Sequence, residues 1–274
     1  MTTITLNGGS PLPPSTIRAR PAGFAYDLAS IAGRALRAVP RDLPAVIPPV
    51  FIALFFFIVN IATLQRLTQS NIHGLDYKAF MFPTAILLGV TGVSRAGSLV
   101  LDIQDGYLDR LLLTPVRRTA ILVGHMLADV AIACGLMVPI LVLALILGVH
   151  VEAGPIGALT FLALGCAWSL AFAGFGYAIA LKTGNPAAVQ SSFLLFFPFL
   201  FMTSSYVPRT QLSGWLRDVA AWNPVTYVLE GLRSLVTSGW QWGSLAKALL
   251  AVAIVAAVSM SLCLAALRGR TQRG

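Results

Sequence analysis

The chain has 274 residues, of which 57% are hydrophobic and only 11% charged, against roughly 25% charged in an ordinary soluble domain. A mean hydropathy of +0.81 excludes a disordered chain and argues against a soluble enzyme. The charge is one-sided, 19 Lys and Arg against 10 Asp and Glu for a net +9; on so apolar a chain that excess points to loop placement across a membrane before it points to nucleic acid.

In chain order, residues 1–20 carry Pro and Thr and read as a mobile tail. No secretory leader is expected, because the first long apolar run starts near residue 44 instead of within the first ~25. Phe24, Leu28, Ile31, Ala35, Leu36 and Val39 share one helical face, with Arg34, Arg37 and Arg41 on or near the other. That predicts a helix over 24–41 lying in the membrane interface, basic side toward anionic headgroups. A soluble cap fits less well, since a span follows almost at once.

Six stretches are long and apolar enough to cross ~30 Å of hydrocarbon at ~20 residues each: 44–64, 79–101, 119–149, 153–181, 183–208 and 248–267. Barrel strands would need only ~10 residues of alternating polarity, whereas runs such as 194–201 are continuously apolar. The reading is therefore an all-α membrane protein, a six-helix bundle over 44–267 within a single domain of residues 1–274. An even number of spans puts both termini on one side. That side holds twelve of the basic residues and the opposite side six, with Arg95 inside span two. The positive-inside rule then makes both termini cytoplasmic.

Between spans five and six lie about forty residues on the outer side, too many for a turn. Leu212, Trp215, Leu216 and Val219 form one helical stripe; Val225, Val228, Leu229, Leu232, Leu235 and Val236 form another. Asn223–Pro224 separates them as a stop followed by a Pro-started helix, and Trp215, Trp222, Trp240 and Trp242 supply interfacial anchors. This predicts a helical pair that is re-entrant in, or lies on, the outer leaflet; an extracellular helical cap is the alternative.

The loop after span two reads Asp102-Ile-Gln-Asp105-Gly106-Tyr107-Leu108-Asp109-Arg110-Leu111-Leu112-Leu113-Thr114-Pro115-Val116-Arg117-Arg118. A short helix follows Gly106, with Leu108, Leu111 and Leu112 on one side and Asp109 and Arg110 exposed, and Pro115 stops it. An amphipathic helix of this kind suits docking into a groove of a cytoplasmic partner.

These residues resemble the membrane subunit of ABC-2-type ATP-binding-cassette transporters, of the daunorubicin-resistance and polysaccharide-export type. The resemblance rests on 105–118 and on Asn223-Pro224-Val225-Thr226-Tyr227-Val228-Leu229-Glu230-Gly231-Leu232-Arg233. The family usually has Glu where this chain has Asp102, Asp105 and Asp109. The resemblance implies a coupling helix formed by Asp105, Gly106, Tyr107, Leu108, Asp109, Arg110, Leu111, Leu112, Pro115 and Arg117, seated in a separate cytoplasmic ABC ATPase that binds ATP and Mg. It also implies a second permease subunit, identical or paralogous, with spans one, two and five nearest the shared path. Export of a drug, antibiotic or lipid-linked compound across a bacterial cell membrane follows, with polysaccharide on a lipid carrier as the runner-up. The sequence agrees in one respect: none of its three Lys follows a Gly, so it contains no phosphate loop of the Gly-Lys-Ser/Thr kind.

Other residues carry weaker signals. Phe193, Phe196, Phe197, Phe201 and Met202 make span five unusually aromatic; packing against lipid or neighbouring helices is the plainer role, an apolar substrate path the sharper one. Asn223, Pro224, Tyr227, Glu230 and Arg233 mark the outer segment. His125 and Asp129, four apart, are expected to form a structural pair, Asp129 turning to His125 or to an Arg; a proton relay is the alternative. Arg95 is expected to snorkel inward or to meet a loop carboxylate. Cys134, Cys166 and Cys263 read as small core residues. No metal site and no nucleic-acid partner is expected. An intramembrane enzyme, or a proton-coupled transporter using Asp129, is the rival from a different class.

Overall fold

The computed structural model describes residues 43–71, 76–92, 94–106 and 118–271, with Gly33 and Arg37 besides. The tail, nearly all of the 24–41 segment and residues 107–117, which include Tyr107, Leu108, Asp109, Arg110, Leu111, Leu112, Pro115 and Arg117, lie outside the described residues.

Among the described residues the regular structure is helical: α1 (Leu43–Asn71), α2 (Tyr77–Thr91), α3 (Ala96–Gln104), α4 (Arg118–Ile146), α5 (Gly154–Thr183), α6 (Pro186–Phe201), α7 (Gly214–Trp222), α8 (Pro224–Thr237) and α9 (Trp242–Thr271). Local chemistry sets several boundaries. The Asp76 carboxylate accepts the Lys78 and Ala79 N–H groups at 3.0 and 3.4 Å and so caps α2. Gly184, at φ +60°, ends α5 in the left-handed turn that suits glycine. Asn185 and Asn223 then cap α6 and α8 through the Ala187 and Val225 N–H groups, each with Pro in the first turn.

Among the described residues, five helical segments are long and apolar enough to cross a membrane: 47–68, 77–104, 122–146, 154–183 and 242–269. The second is broken, α2 giving way to α3 between Thr91 and Ala96. The stretch expected as span five, 183–208, is helical only over Pro186–Phe201, 16 residues, or about 24 Å at 1.5 Å per residue. After Phe201 the chain leaves the helix where side chains from elsewhere take its carbonyls, as described below. α9, in contrast, starts at Trp242, six residues before the expected span.

α5 is the hub, packing on α2, α3, α4, α6, α8 and α9. Close approaches depend on small residues, as in lipid-embedded bundles: a Cβ on Gly174 would lie 3.1 Å from the Ser259 main chain of α9. Phe82 and Phe161 stack at 4.9 Å between α2 and α5. The outer stripe is not peripheral, since Val225, Val228, Leu229, Leu232, Leu235 and Val236 of α8 are buried against α2, α5 and α9. α7 differs, with Trp215 and Val219 exposed.

The two ends of the bundle are tied separately. At one, Lys78 Nζ donates to the Leu147 carbonyl at 3.0 Å, Glu152 and Ala153 N–H donate to Val236 and Leu235, and Trp240 Nε1 donates to Ala153. At the other, Gln104 Nε2 donates to the Gly184 carbonyl at 3.1 Å. Residue 43 and residue 271 both belong to this second end, since α1 runs antiparallel into α2 and α9 starts at the first.

Candidate functional site

Two polar clusters lie inside the apolar bundle, each where a span departs from a straight helix. Unpaired main-chain groups are costly in a setting without water, so such a break must be satisfied by other parts of the protein.

The first cluster holds the end of α6. Arg233 of α8 is buried, and each of its donors is used. Nε donates to the Phe80 carbonyl at 3.0 Å. Nη1 donates to the Ser204 carbonyl at 2.6 Å and its hydroxyl at 3.2 Å. Nη2 donates to the Ser205 carbonyl at 2.9 Å and the Thr84 hydroxyl at 3.1 Å. The guanidinium also lies 3.6 Å from the Phe80 ring centre. Asn223 completes the clamp, its Nδ2 donating to the carbonyls of Phe199 at 2.6 Å and Met202 at 3.0 Å. Arg233 and Asn223 thus replace the helical bonds that 199–205 give up, and join α6, α8 and α2.

Nearby, Tyr227 donates its hydroxyl to the Ala221 carbonyl at 2.6 Å and its ring faces Arg209, which meets Glu230 at 3.8 Å. Of the predicted outer residues, Tyr227 and Glu230 thus share Arg209, while Asn223 and Arg233 hold successive parts of the segment after α6. Thr84, Ser204 and Ser205, without which Arg233 has no role, carried no signal in the sequence beyond their polarity within an apolar run.

The second cluster holds the break between α2 and α3. Asp129 of α4, wholly buried, accepts the Arg95 main-chain N–H at 2.8 Å and the Tyr177 hydroxyl of α5 at 2.7 Å. The Arg95 N–H has no helical acceptor because it opens α3. The expected partnership of Asp129 with His125 is not formed. His125 Nε2 instead faces Asp102 Oδ2 at 3.6 Å: on adjacent turns of α4 the two side chains meet different neighbours, and α3 brings its own carboxylate. Asp129 does meet Arg95, at its main-chain N–H. Tyr177 went unnoticed in the sequence, where one Tyr in a span gives no sign of its partner.

The aromatic residues of α6 divide by face. Phe196 is wholly buried between Trp168 and Phe172, with ring centres at 6.2 and 5.5 Å. Phe193, Phe197, Phe201 and Tyr206 form a ladder at 5.1, 6.0 and 5.7 Å, with Phe201 and Met202 exposed. Of the predicted loop residues, Asp105 and Gly106 are described; they follow α3, Gly106 at φ +66°. Among the described residues no group of three His, Cys, Asp or Glu is placed to hold a metal ion.

A family model described as ABC-2 type transporter matches residues 27–237. Among curated proteins, the chain is 24% identical over 207 residues to the "Probable doxorubicin resistance ABC transporter permease protein DrrC" of Mycobacterium tuberculosis, covering 75% of each chain. It is 26% identical to the daunorubicin resistance ABC transporter permease protein DrrB1 of Streptomyces coeruleorubidus, covering 72% of this chain and 69% of the relative. A transport permease of Pyropia yezoensis, ycf38, matches at 28% identity over 60% of this chain and 57% of the relative.

Proposed function

Because the chain belongs to the ABC-2 type transporter family, we propose that it is the permease of an ATP-driven exporter that moves a hydrophobic or amphipathic compound out of a bacterial cell. Its relatives include permeases of doxorubicin and daunorubicin resistance transporters, which favours a drug or antibiotic over a glycan on a lipid carrier.

One observation carries the mechanism. α3 leads from the hinge clamped by Asp129 straight into Asp105 and Gly106, at the same end of the bundle as residues 43 and 271. A partner ATPase, holding ATP and Mg, would grip residues 105–117 as a coupling helix and swing α3 about that hinge. The excess of basic residues at this end supports placing it, with both termini and the interfacial helix 24–41, in the cytoplasm. Residues 1–274 then form one transmembrane domain. α6, continued by the pinned segment 202–208, supplies the sixth crossing, and α7 with α8 forms the re-entrant pair. A second permease subunit would face the exposed residues Phe51, Phe55 and Ile58 of α1, with Phe193, Phe197 and Phe201 of α6 and the following Met202 toward the shared path. This chain's own part is to bind and move cargo while ATP is hydrolysed elsewhere.

The test is reconstitution with a cytoplasmic ABC ATPase as partner. Inverted vesicles should accumulate an amphipathic drug only with ATP. Gly106→Asp or Leu111→Arg should abolish assembly and stimulated hydrolysis; unchanged hydrolysis in both would remove the coupling-helix assignment. Accumulation without ATP, driven by a proton gradient, would favour the proton-coupled rival.

A further inference from the structure

At the clamped end of the bundle, opposite Asp105, a crevice of about 240 Å³ opens beside Arg233. Its wall is mixed, with Phe80 and Pro208 beside polar groups, and the polar side chains that matter are Arg209, Arg233, Glu230, Ser238, Gln241 and Ser244. Two guanidinium groups thus face one carboxylate. The charge of Arg233 is balanced by none of its own partners, which are carbonyls and hydroxyls throughout. Arg209 approaches Glu230 only to 3.8 Å, longer than a hydrogen bond, which leaves its planar fork able to receive a bidentate acceptor. Ser238 and Ser244 also line the crevice and add neutral hydroxyls.

The depth of the crevice is marked independently. Trp240 and Trp242 bracket Gln241 and stack at 5.4 Å; Trp242, Trp215 and Trp222 are 73%, 66% and 90% exposed. Tryptophan collects at the headgroup level of a bilayer. From Trp242, Leu249, Leu250, Ile254 and Val258 continue down α9 as an exposed apolar stripe.

We propose that this crevice binds the phosphate of a lipid headgroup in the adjacent leaflet. Arg209 grips the phosphate oxygens, the Arg233 charge and the serine hydroxyls complete the cradle, and the acyl chains lie along α9. Nothing in this depends on the direction of transport or on the ATPase.

The test uses the purified full chain in a neutral detergent, with labelled phosphatidylglycerol, labelled diacylglycerol of the same acyl chains, and inorganic phosphate as competitor. The chain should retain phosphatidylglycerol and release diacylglycerol. Arg209→Gln should weaken retention on the order of tenfold, as expected for a lost charge-assisted hydrogen bond, and Arg209→Lys should restore part of it. Glu230→Gln should tighten retention, a change that misfolding cannot imitate. Displacement by millimolar inorganic phosphate supports the phosphate chemistry and makes a free anion a second source; no displacement supports the lipid as sole source. Equal retention of the two lipids, or Arg209→Gln and Glu230→Gln both matching wild type, overturns the proposal.

Discussion

Arg233 and Ser205 lie 28 residues apart in sequence, yet Nη2 of the one donates to the main-chain carbonyl of the other at 2.9 Å. That bond and the two to Ser204 hold a backbone that has left the helix after Phe201, while the remaining two reach Phe80 and Thr84 of α2. Arg233→Met keeps length and apolar bulk but takes a donor from the Phe80, Ser204 and Ser205 carbonyls, of which Ser205 keeps the Thr84 hydroxyl at 3.2 Å. Since an unsatisfied buried polar group costs about 1–3 kcal/mol, the Ser204 carbonyl alone should lower stability by that much, read as a lowered melting temperature of the solubilised protein. Arg233→Lys should recover only part, because an ammonium has three donors and no planar fork. A melting temperature within 1–2 °C of wild type for Arg233→Met would refute the clamp.

At the other break, Asp129 is predicted to act as an acceptor and not as a proton carrier. In Asp129→Asn the amide oxygen can still accept the Arg95 N–H, while its NH2 donates to a turned Tyr177 hydroxyl. Stability and ATP-driven transport should therefore stay close to wild type. Asp129→Ala strands both donors and should lose about 2–4 kcal/mol, with Tyr177→Phe losing roughly 1. Transport abolished in a stably folded Asp129→Asn would instead assign the carboxylate a role that needs its charge.

How far the sequence reveals this molecule differs from element to element. Apolar length alone located α1, α4, α5 and α9, because a run of that size has few other homes. Asn223–Pro224 marked the division of α7 from α8 to the residue, since the cap and the Pro act locally. What stayed hidden depends on pairing at a distance. Nothing near Ser204 reports that Arg233 lies beside it, so 183–208 reads as one uninterrupted span. Nothing near Asp129 reports Tyr177, so its neighbour one turn away, His125, appeared to be the partner. The stripe of α8 was correct as a face, but periodicity does not say whether lipid or protein covers it.

The contact between α8 and α9 offers a test by compensation. A Cβ added at Gly231 would lie 2.5 Å from the Ala248 Cβ and 3.4 Å from the Ser244 carbonyl, so Gly231→Ala forces the helices apart. Overpacking of this kind costs typically about 1–3 kcal/mol. Gly231→Ala/Ala248→Gly moves the methyl to the other helix and should restore most of the loss in a thermal melt. Two additive losses would mean that the helices do not meet at this pair.

The aromatic residues of α6 separate stability from transport. Phe196 fills the space between Trp168 and Phe172 and is wholly buried. Its replacement by Ala should cost about 3–5 kcal/mol through the cavity left behind, lowering the melting temperature whatever the cargo. Phe201, 45% exposed, stacks only on Phe197 and Tyr206, so Phe201→Ala should cost under about 1.5 kcal/mol. If the ladder faces the cargo path, Phe201→Ala should still change the concentration of drug giving half-maximal stimulation of the ATPase. Phe199→Ala, also on the exposed side but outside the ladder, should not. The same drug response in Phe201→Ala, Phe199→Ala and wild type would place the ladder against lipid and remove α6 from the path.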